Sequence, residues 1–192
     1  MKKYFNQFNK RLQHVGLTLR DVNADGNCLF RAIADQLTGN EENYNKYRSM
    51  AIKQLQKNQN FFSNFHHESS TTFNEYTKQM SEDGIWGGHL ELQALSNSLQ
   101  IDIIVHTKDN YYIIKHMPIK TCCSILKDKL SMYLNIQKFP IQKQIHIALH
   151  KEKKIINHYQ SVRLIDDNTN KPAKQPQIYF EQTEQSTNDE PY

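Results

Sequence analysis

Residues 22–37 read VNADGNCLFRAIADQL and carry the most informative pattern in this chain of 192 residues. After the turn-forming residues 22–27, apolar side chains recur at the spacing of one helical face, at Phe30, Ile33, Ala34 and Leu37. The spacing predicts a buried helix with Cys28 in its first turn. Backbone N–H groups and the helix dipole favour negative charge at this end, which suits a thiolate nucleophile. A lone cysteine on an apolar face is also the common pattern of a small core residue.

The turn before Cys28 supports the nucleophilic interpretation. Asp25, Gly26 and Asn27 directly precede the cysteine, and a turn that contains glycine lets successive backbone N–H groups point towards one spot. Acyl transfer needs such a spot as an oxyanion hole. The alternative role of Asp25 is to cap the helix that begins at Cys28.

A nucleophilic thiol needs a neighbouring base, and the chain offers nine histidines. His158 follows the polar residues 151–157 and is predicted to begin a strand, where a side chain is held rigidly at the edge of a cleft. His146 and His150 lie on one face of a predicted strand, a pattern more typical of packed or solvated side chains. No His-x-x-x-His pair falls on a predicted helix and no carboxylate-rich cluster occurs, so we expect no metal site.

The rest of the chain shows helical spacing first and strand patterns later. Helices are predicted over residues 5–15, 44–55, 73–80 and 90–99, and strands over residues 101–105, 111–115, 145–150 and 158–164. Helices followed by strands predict an α+β domain in which helices cover a small β-sheet. We expect an N-terminal helix packed on the domain, a catalytic domain and a polar, mobile tail, over residues 1–15, 16–166 and 167–192.

Composition places the chain among soluble folded proteins. Hydrophobic residues make up 38% and charged residues 23%, with a formal net charge of +4. Because the chain has no Arg-rich stripe, we expect no nucleic-acid binding. Because it has no apolar run of about 18 residues and no apolar signal segment, we expect no membrane insertion or secretion. Neither disulfide nor zinc spacing links the three cysteines, so we expect a reducing compartment, the cytoplasm or also the nucleus.

Three blocks of the sequence resemble a known protein family. Val22 to Ala32 is similar to the nucleophile motif of the ovarian-tumour (OTU) family of cysteine deubiquitinases. Residues 86–96 resemble the family's middle motif, and residues 145–149 with 158–163 resemble its histidine motif. The blocks follow the family's order and span residues 16–173. The subgroup of OTU domain-containing protein 3 looks closest, on residues 16–21 and 161–163.

This resemblance implies a papain-like OTU fold, with the catalytic cysteine at the N-terminus of the central helix and without a cofactor. It implies that Cys28 attacks the carbonyl at the C-terminal glycine of ubiquitin and that His158 takes and returns the proton. Asp25 matches the acidic position counted as catalytic in the family. The expected partners are ubiquitin, polyubiquitin chains and ubiquitinated proteins, and the expected state is a monomer.

The resemblance also implies an oxyanion hole and a substrate cleft. Backbone groups from Asp25 to Cys28 are expected to form the hole. The cleft beside the histidine is expected to be lined by Trp86, Gly87 and Tyr159. A tryptophan in this segment is equally typical of a buried core residue.

One position departs from the family pattern. The family usually carries Asp or Asn two residues after the histidine, where the side chain orients the imidazole, and this chain has Gln160 there. We expect the amide oxygen of Gln160 to accept a hydrogen bond from His158. Two functions stay open: an active deubiquitinase, and a ubiquitin-binding module that has lost turnover through Gln160. A hydrolase for a ubiquitin-like modifier or a viral-type host target would share the chemistry of the first.

Overall fold

The computed structural model of the chain describes residues 2–66, 71–117, 144–152 and 155–174. Its helices are α1 (Lys2–Gln13), α2 (Cys28–Thr38), α3 (Tyr44–Lys57), α4 (Gln59–Phe62), α5 (Phe73–Met80) and α6 (His89–Leu99). Its strands are β1 (Leu17–Arg20), β2 (Asp102–His106), β3 (Tyr111–Ile114), β4 (Gln144–Glu152) and β5 (Ile155–Leu164). No helix within these ranges is long and apolar enough to cross a lipid bilayer.

The five strands form one mixed sheet in the order β1-β5-β4-β2-β3. β2 and β4 are parallel, and the other neighbours are antiparallel. β1 ends at Arg20, which pairs with Ser161 of β5. Because the two strands run in opposite directions, the chain that leaves Arg20 continues beside the residues that precede Ser161. The topology therefore brings the segment before Cys28 next to His158.

Two apolar clusters cover the two faces of the sheet. The larger cluster packs α2, α3 and α6 on Ile103, Val105, Ile147 and Tyr159 of the sheet. The smaller one packs Phe8 and Leu12 of α1 on Leu17, Ala148 and Val162. The predicted α+β fold, with helices covering a small sheet, is confirmed.

The N-terminal helix ends earlier than the sequence predicts. α1 stops at Gln13, and Val15, expected on its packed face, is 68% exposed. Gly16 then adopts a left-handed conformation with φ of 75°, which glycine accepts without steric cost. This turn leads into β1, a strand that was not predicted from the sequence.

β5 begins at Ile155 rather than at His158. Glu152 pairs with Ile155, so most of the polar segment expected to be a loop belongs to the β4–β5 hairpin. Polar residues can extend a hairpin because pairing satisfies their backbone groups whatever the side chain. His158 therefore lies inside a paired strand.

The chain remains packed beyond the predicted boundary at residue 166. Asp167 is buried, and its carboxylate accepts hydrogen bonds from Arg163 Nη1 at 3.2 Å and Lys174 N–H at 3.1 Å. The N–H of Ala173 donates to Gln36 O of α2 at 2.8 Å. The structure thus differs from the predicted tail over residues 167–174, because these contacts tie the segment to β5 and α2. The rest of that predicted tail lies outside the described residues.

Candidate active site

Cys28 is the first residue of α2, and it is 2% exposed. Its Sγ accepts a hydrogen bond from the backbone N–H of Tyr159 at 3.4 Å. Tyr159 directly follows His158 on β5, in the part of β5 that extends past the end of β1. Burial raises the pKa of the Cys28 thiol, while the N–H of Tyr159 acts in the opposite direction. Burial thus opposes ionisation of the thiol at the helix N-terminus, and a neighbouring base favours it.

The turn before Cys28 is fixed by the carboxylate of Asp25. Its Oδ1 accepts the N–H of Asn27 at 3.0 Å, and its Oδ2 lies 2.7 Å from Arg31 Nη2. The bonds from Arg31 hold the pKa of Asp25 well below its usual range. Asp25 is therefore a carboxylate committed to Arg31 and to the turn, and it makes no described contact with His158.

A second segment, the last residue of α5 with residues 81–85 that follow it, covers this turn. The Oδ1 of the buried Asn27 accepts bonds from Gly84 N–H and from Arg48 Nη2. Arg48 also donates to the carbonyls of Met80 and Ile85. Gly26, at φ of 84°, approaches Gly84 so closely that an added Cβ would lie 1.7 Å from the carbonyl oxygen of Gly84. We call residues 80–85 the covering loop.

These contacts refine the predicted oxyanion hole. The N–H of Asn27 is occupied by Asp25, which removes it from the four predicted donors. Within the described ranges, the N–H groups of Asp25, Gly26 and Cys28 have no acceptor. They remain the candidate donors to an oxyanion beside the sulfur.

His158 lies on β5 with its side chain 22% exposed. Its Nε2 is 3.4 Å from Oδ1 of Asp21, the residue that follows β1. The amide of Gln160 also meets Asp21, with Nε2 donating to the same Oδ1 at 2.9 Å. Gln160 Oε1 is buried and finds no partner in the described part of the chain. The expected bond from His158 to Gln160 is thus replaced by contacts of both side chains with Asp21.

Trp86 connects the middle motif with the histidine strand. Its Nε1–H donates to the carbonyl of Asn157 at 2.8 Å, and its ring stacks on Tyr159 with centroids 5.5 Å apart. Gly87 packs so closely on α2 that an added Cβ would lie 2.9 Å from atoms of Leu29 and Phe30. Trp86 therefore fixes the backbone on both sides of His158.

The other strand histidines face a different environment. His106 Nε2 and His146 Nδ1 share a buried hydrogen bond of 3.0 Å. Burial lowers the pKa of His106 to about 4 and that of His146 to about 3. Both rings are therefore neutral at physiological pH. No group of three or more metal-ligating side chains occurs among the residues that the structure describes.

Together, these residues place a thiol at a helix N-terminus, an imidazole next to the thiol's hydrogen-bond donor, and candidate oxyanion donors in one turn. Such an arrangement defines a thiol hydrolase of the papain-like kind. The sequence matches the family of OTU-like cysteine proteases over residues 23–179. The chain belongs to this family.

Known relatives agree with this assignment. OVARIAN TUMOR DOMAIN-containing deubiquitinating enzyme 7 of Arabidopsis thaliana is 36% identical over 88% of this chain and 39% of that protein. OTU domain-containing protein 3 of Mus musculus is 30% identical over 88% of this chain and 37% of that protein. The chain thus spans less than half the length of either relative. The structure of the OTUD1 OTU domain has a TM-score of 0.60 at 19% identity, covering 82% of this chain and 92% of that one.

Asp21 and the roles of Arg31 and Arg48 were not predicted from the sequence. Asp21 follows a four-residue strand and meets residues far along the chain. The alternation of Leu17 and Leu19 with Thr18 and Arg20 is the one signal that could have revealed the strand.

Proposed function

We propose that this domain is a deubiquitinase, which hydrolyses the isopeptide bond between the C-terminal carboxyl of ubiquitin and a lysine amine. The observation that carries the proposal is the position of Cys28. Its buried sulfur lies at the start of α2 and accepts a hydrogen bond from the residue that follows His158. The Arabidopsis relative that is named a deubiquitinating enzyme supports ubiquitin as the substrate.

The first half of the reaction forms a thioester. His158 takes the proton of Cys28, and the sulfur attacks the carbonyl carbon of the C-terminal glycine. Negative charge then develops on the carbonyl oxygen, where the N–H groups of Asp25, Gly26 and Cys28 are the candidate donors that stabilise it. The C–N bond breaks, and the lysine amine leaves with the proton that His158 returns.

The second half releases ubiquitin. A water molecule loses a proton to His158 and attacks the thioester carbonyl, which forms a second oxyanion in the same turn. The C–S bond then breaks, Cys28 regains the proton, and ubiquitin leaves with a free carboxylate. Neither half needs a redox step or a cofactor.

The remaining parts of the proposal concern partners and location. The partners are ubiquitin, polyubiquitin chains and ubiquitinated proteins within the ubiquitin conjugation pathway, and the domain acts as a monomer without nucleic acid or membrane. The cytoplasm is the proposed location. The pattern of three cysteines without disulfide or zinc spacing supports it.

Cleavage of ubiquitin dimers tests the proposal. The purified protein is incubated with dimers of every linkage, and we expect at least one to be cleaved. Cys28→Ala is expected to abolish cleavage and to keep the fold, with a small decrease in melting temperature because the sulfur that it removes is buried. The matched control is Cys122→Ser with Cys123→Ser, which lie outside the described residues and outside the motifs. Cleavage by Cys28→Ala at the wild-type rate would refute the mechanism.

The second candidate function is a ubiquitin-binding module that has lost turnover through Gln160, and a separate experiment tests it. A ubiquitin with an electrophilic C-terminus reacts with Cys28 if the thiol is activated. Labelling together with dimer cleavage identifies the enzyme. Binding of ubiquitin without labelling or cleavage identifies the module.

A further inference from the structure

We propose that Asp21 is the positioning residue that orients His158, and that Gln160 acts on His158 only through Asp21. The inference deepens the proposed function and rests on it for its role in turnover. It assigns the orienting acid to the residue that follows β1, because the position two residues after the histidine carries an amide instead.

Asp21 Oδ1 is held by three contacts. It accepts the N–H of Val22 at 3.1 Å and the side-chain amide of Gln160 at 2.9 Å, and it lies 3.4 Å from Nε2 of His158. Gln160 is 2% exposed, whereas the Asp21 side chain is 76% exposed. A buried amide on a rigid strand thus fixes a carboxylate that solvent would otherwise leave free to rotate.

The arginine side chains near Asp21 are paired with other groups, so the cationic partner of Asp21 is His158. Asp21 borders an open groove of about 470 Å³ that is also lined by Arg20, Asp35, Glu41 and Glu42. Arg20 is committed to Asp35, Asn170 and the carbonyl of Thr169, and Arg31 is committed to Asp25 and Glu42. Within the described residues, the ion-pair partner of Asp21 is His158.

The contact at Nε2 has a defined chemical consequence. An imidazole that donates from Nε2 to a carboxylate keeps its lone pair on Nδ1, and this nitrogen is then the base for the thiol. The carboxylate also stabilises the imidazolium that forms when the thiol loses its proton. Gln160 carries no charge and cannot supply this second effect, so Asp21 provides the charge and Gln160 the position.

Three variants test the role of Asp21. Asp21→Asn keeps an acceptor but removes the charge, and Asp21→Ala removes both. We expect kcat on a cleaved ubiquitin dimer to fall about tenfold and about a hundredfold respectively, within the range of acid–base effects, with little change in KM. Asp166→Asn removes the same charge from an exposed position away from the active site, and it is expected to match the wild type.

Alkylation of Cys28 by iodoacetamide gives a readout that needs no ubiquitin. It is measured against pH in a background with Cys122→Ser and Cys123→Ser. We expect Asp21→Asn to need a higher pH than the wild type for half-maximal alkylation, because the thiolate–imidazolium pair loses its stabilising charge. A profile of Asp21→Ala identical to that of Asp166→Asn overturns the proposal. If no ubiquitin substrate is cleaved, these profiles still decide the role of Asp21 while the proposed function fails.

A double-mutant cycle tests whether Gln160 acts on His158 through Asp21 or by direct contact with the imidazole. Gln160→Met preserves side-chain volume and removes the donor to Asp21. If Gln160 acts through Asp21, Gln160→Met lowers kcat by less than Asp21→Ala, and the double variant is no slower than Asp21→Ala alone. Additive losses of kcat show that Gln160 contacts the imidazole directly and overturn the assignment. A large loss of kcat in Gln160→Met together with no loss in Asp21→Ala leads to the same conclusion.

Discussion

Around Cys28 the backbone is fixed by buried contacts, whereas around His158 the side chains depend on an exposed carboxylate. Asn27 Oδ1 joins the turn to Arg48 and to the covering loop, and Gly26 packs directly on that loop. On the other side, the contact between His158 and Asp21 is long, at 3.4 Å, and open to solvent. The two halves of one catalytic unit are thus held with different rigidity.

The difference shows which part of the chemistry is arranged in advance. Oxyanion donors stabilise charge best when they do not have to move during the reaction, and the turn before Cys28 meets this condition. Hydrogen bonds of a catalytic base are often long without substrate and shorten when substrate binds. We therefore expect changes at the turn to act through geometry, and changes at the histidine strand to act through charge and alignment.

Gly26→Ala is expected to have a large effect on both turnover and stability. The new Cβ would lie 1.7 Å from the Gly84 carbonyl oxygen, so the turn and the covering loop must separate. Loss of an oxyanion donor lowers kcat by about 100- to 1000-fold, and we expect a loss of this order in dimer cleavage. Backbone strain also lowers the free energy of unfolding by about 1–3 kcal/mol, measured by urea denaturation.

Gly16→Ala is the matched control for that variant. Gly16 has φ of 75°, close to the 84° of Gly26, but a Cβ added at Gly16 would have no other atom within 4 Å. The same conformational strain without the clash should lower stability and leave kcat/KM within about twofold of the wild type. Equal activity of both glycine variants would show that the close approach to Gly84 does not shape the site.

His158→Ala is expected to leave the turn intact and remove the activation of the thiol. Burial raises the pKa of Cys28, so without its base a smaller fraction of the thiol ionises at a given pH than in an exposed cysteine. At pH 7 we expect alkylation by iodoacetamide to slow by about tenfold or more and to recover as pH rises. An unchanged rate at pH 7 would mean that the helix terminus activates Cys28 by itself.

The nucleophile side of the site could be predicted from the sequence better than the histidine side. The helix that begins at Cys28 follows from spacing within eleven residues, and the three helices predicted after it match α3, α5 and α6. Local spacing carries this information because the turn and the helix are continuous in the chain. Gln160 stands out for a different reason, because the family motif that this segment resembles usually carries Asp or Asn at that position.

The contact of Asp21 with His158 could not be predicted in this way. The two residues are 137 positions apart, and they meet because β1 pairs with β5. That pairing depends on β1, a strand of four residues whose pattern is too short to be decisive. Arg48 is similar, since its partners Asn27 and Ile85 come from separate loops.

Trp86→Phe is expected to have the smallest effect, and it probes the backbone of the histidine strand rather than its side chains. Phe keeps the stacking on Tyr159 but loses the N–H that donates to the carbonyl of Asn157. Asn157 is exposed, so water can replace the lost donor, and a neutral hydrogen bond of about 1 kcal/mol sets the scale. We expect kcat to fall by about threefold to tenfold with KM unchanged, since the change displaces His158 and removes a hydrogen bond from Trp86 that acts to lower the pKa of the Cys28 thiol. Trp86→Ala removes the stacking as well, and its kcat should be clearly lower than that of Trp86→Phe. If both variants match the wild type, the position of His158 is set by the pairing of β5 with β4 and not by the tryptophan.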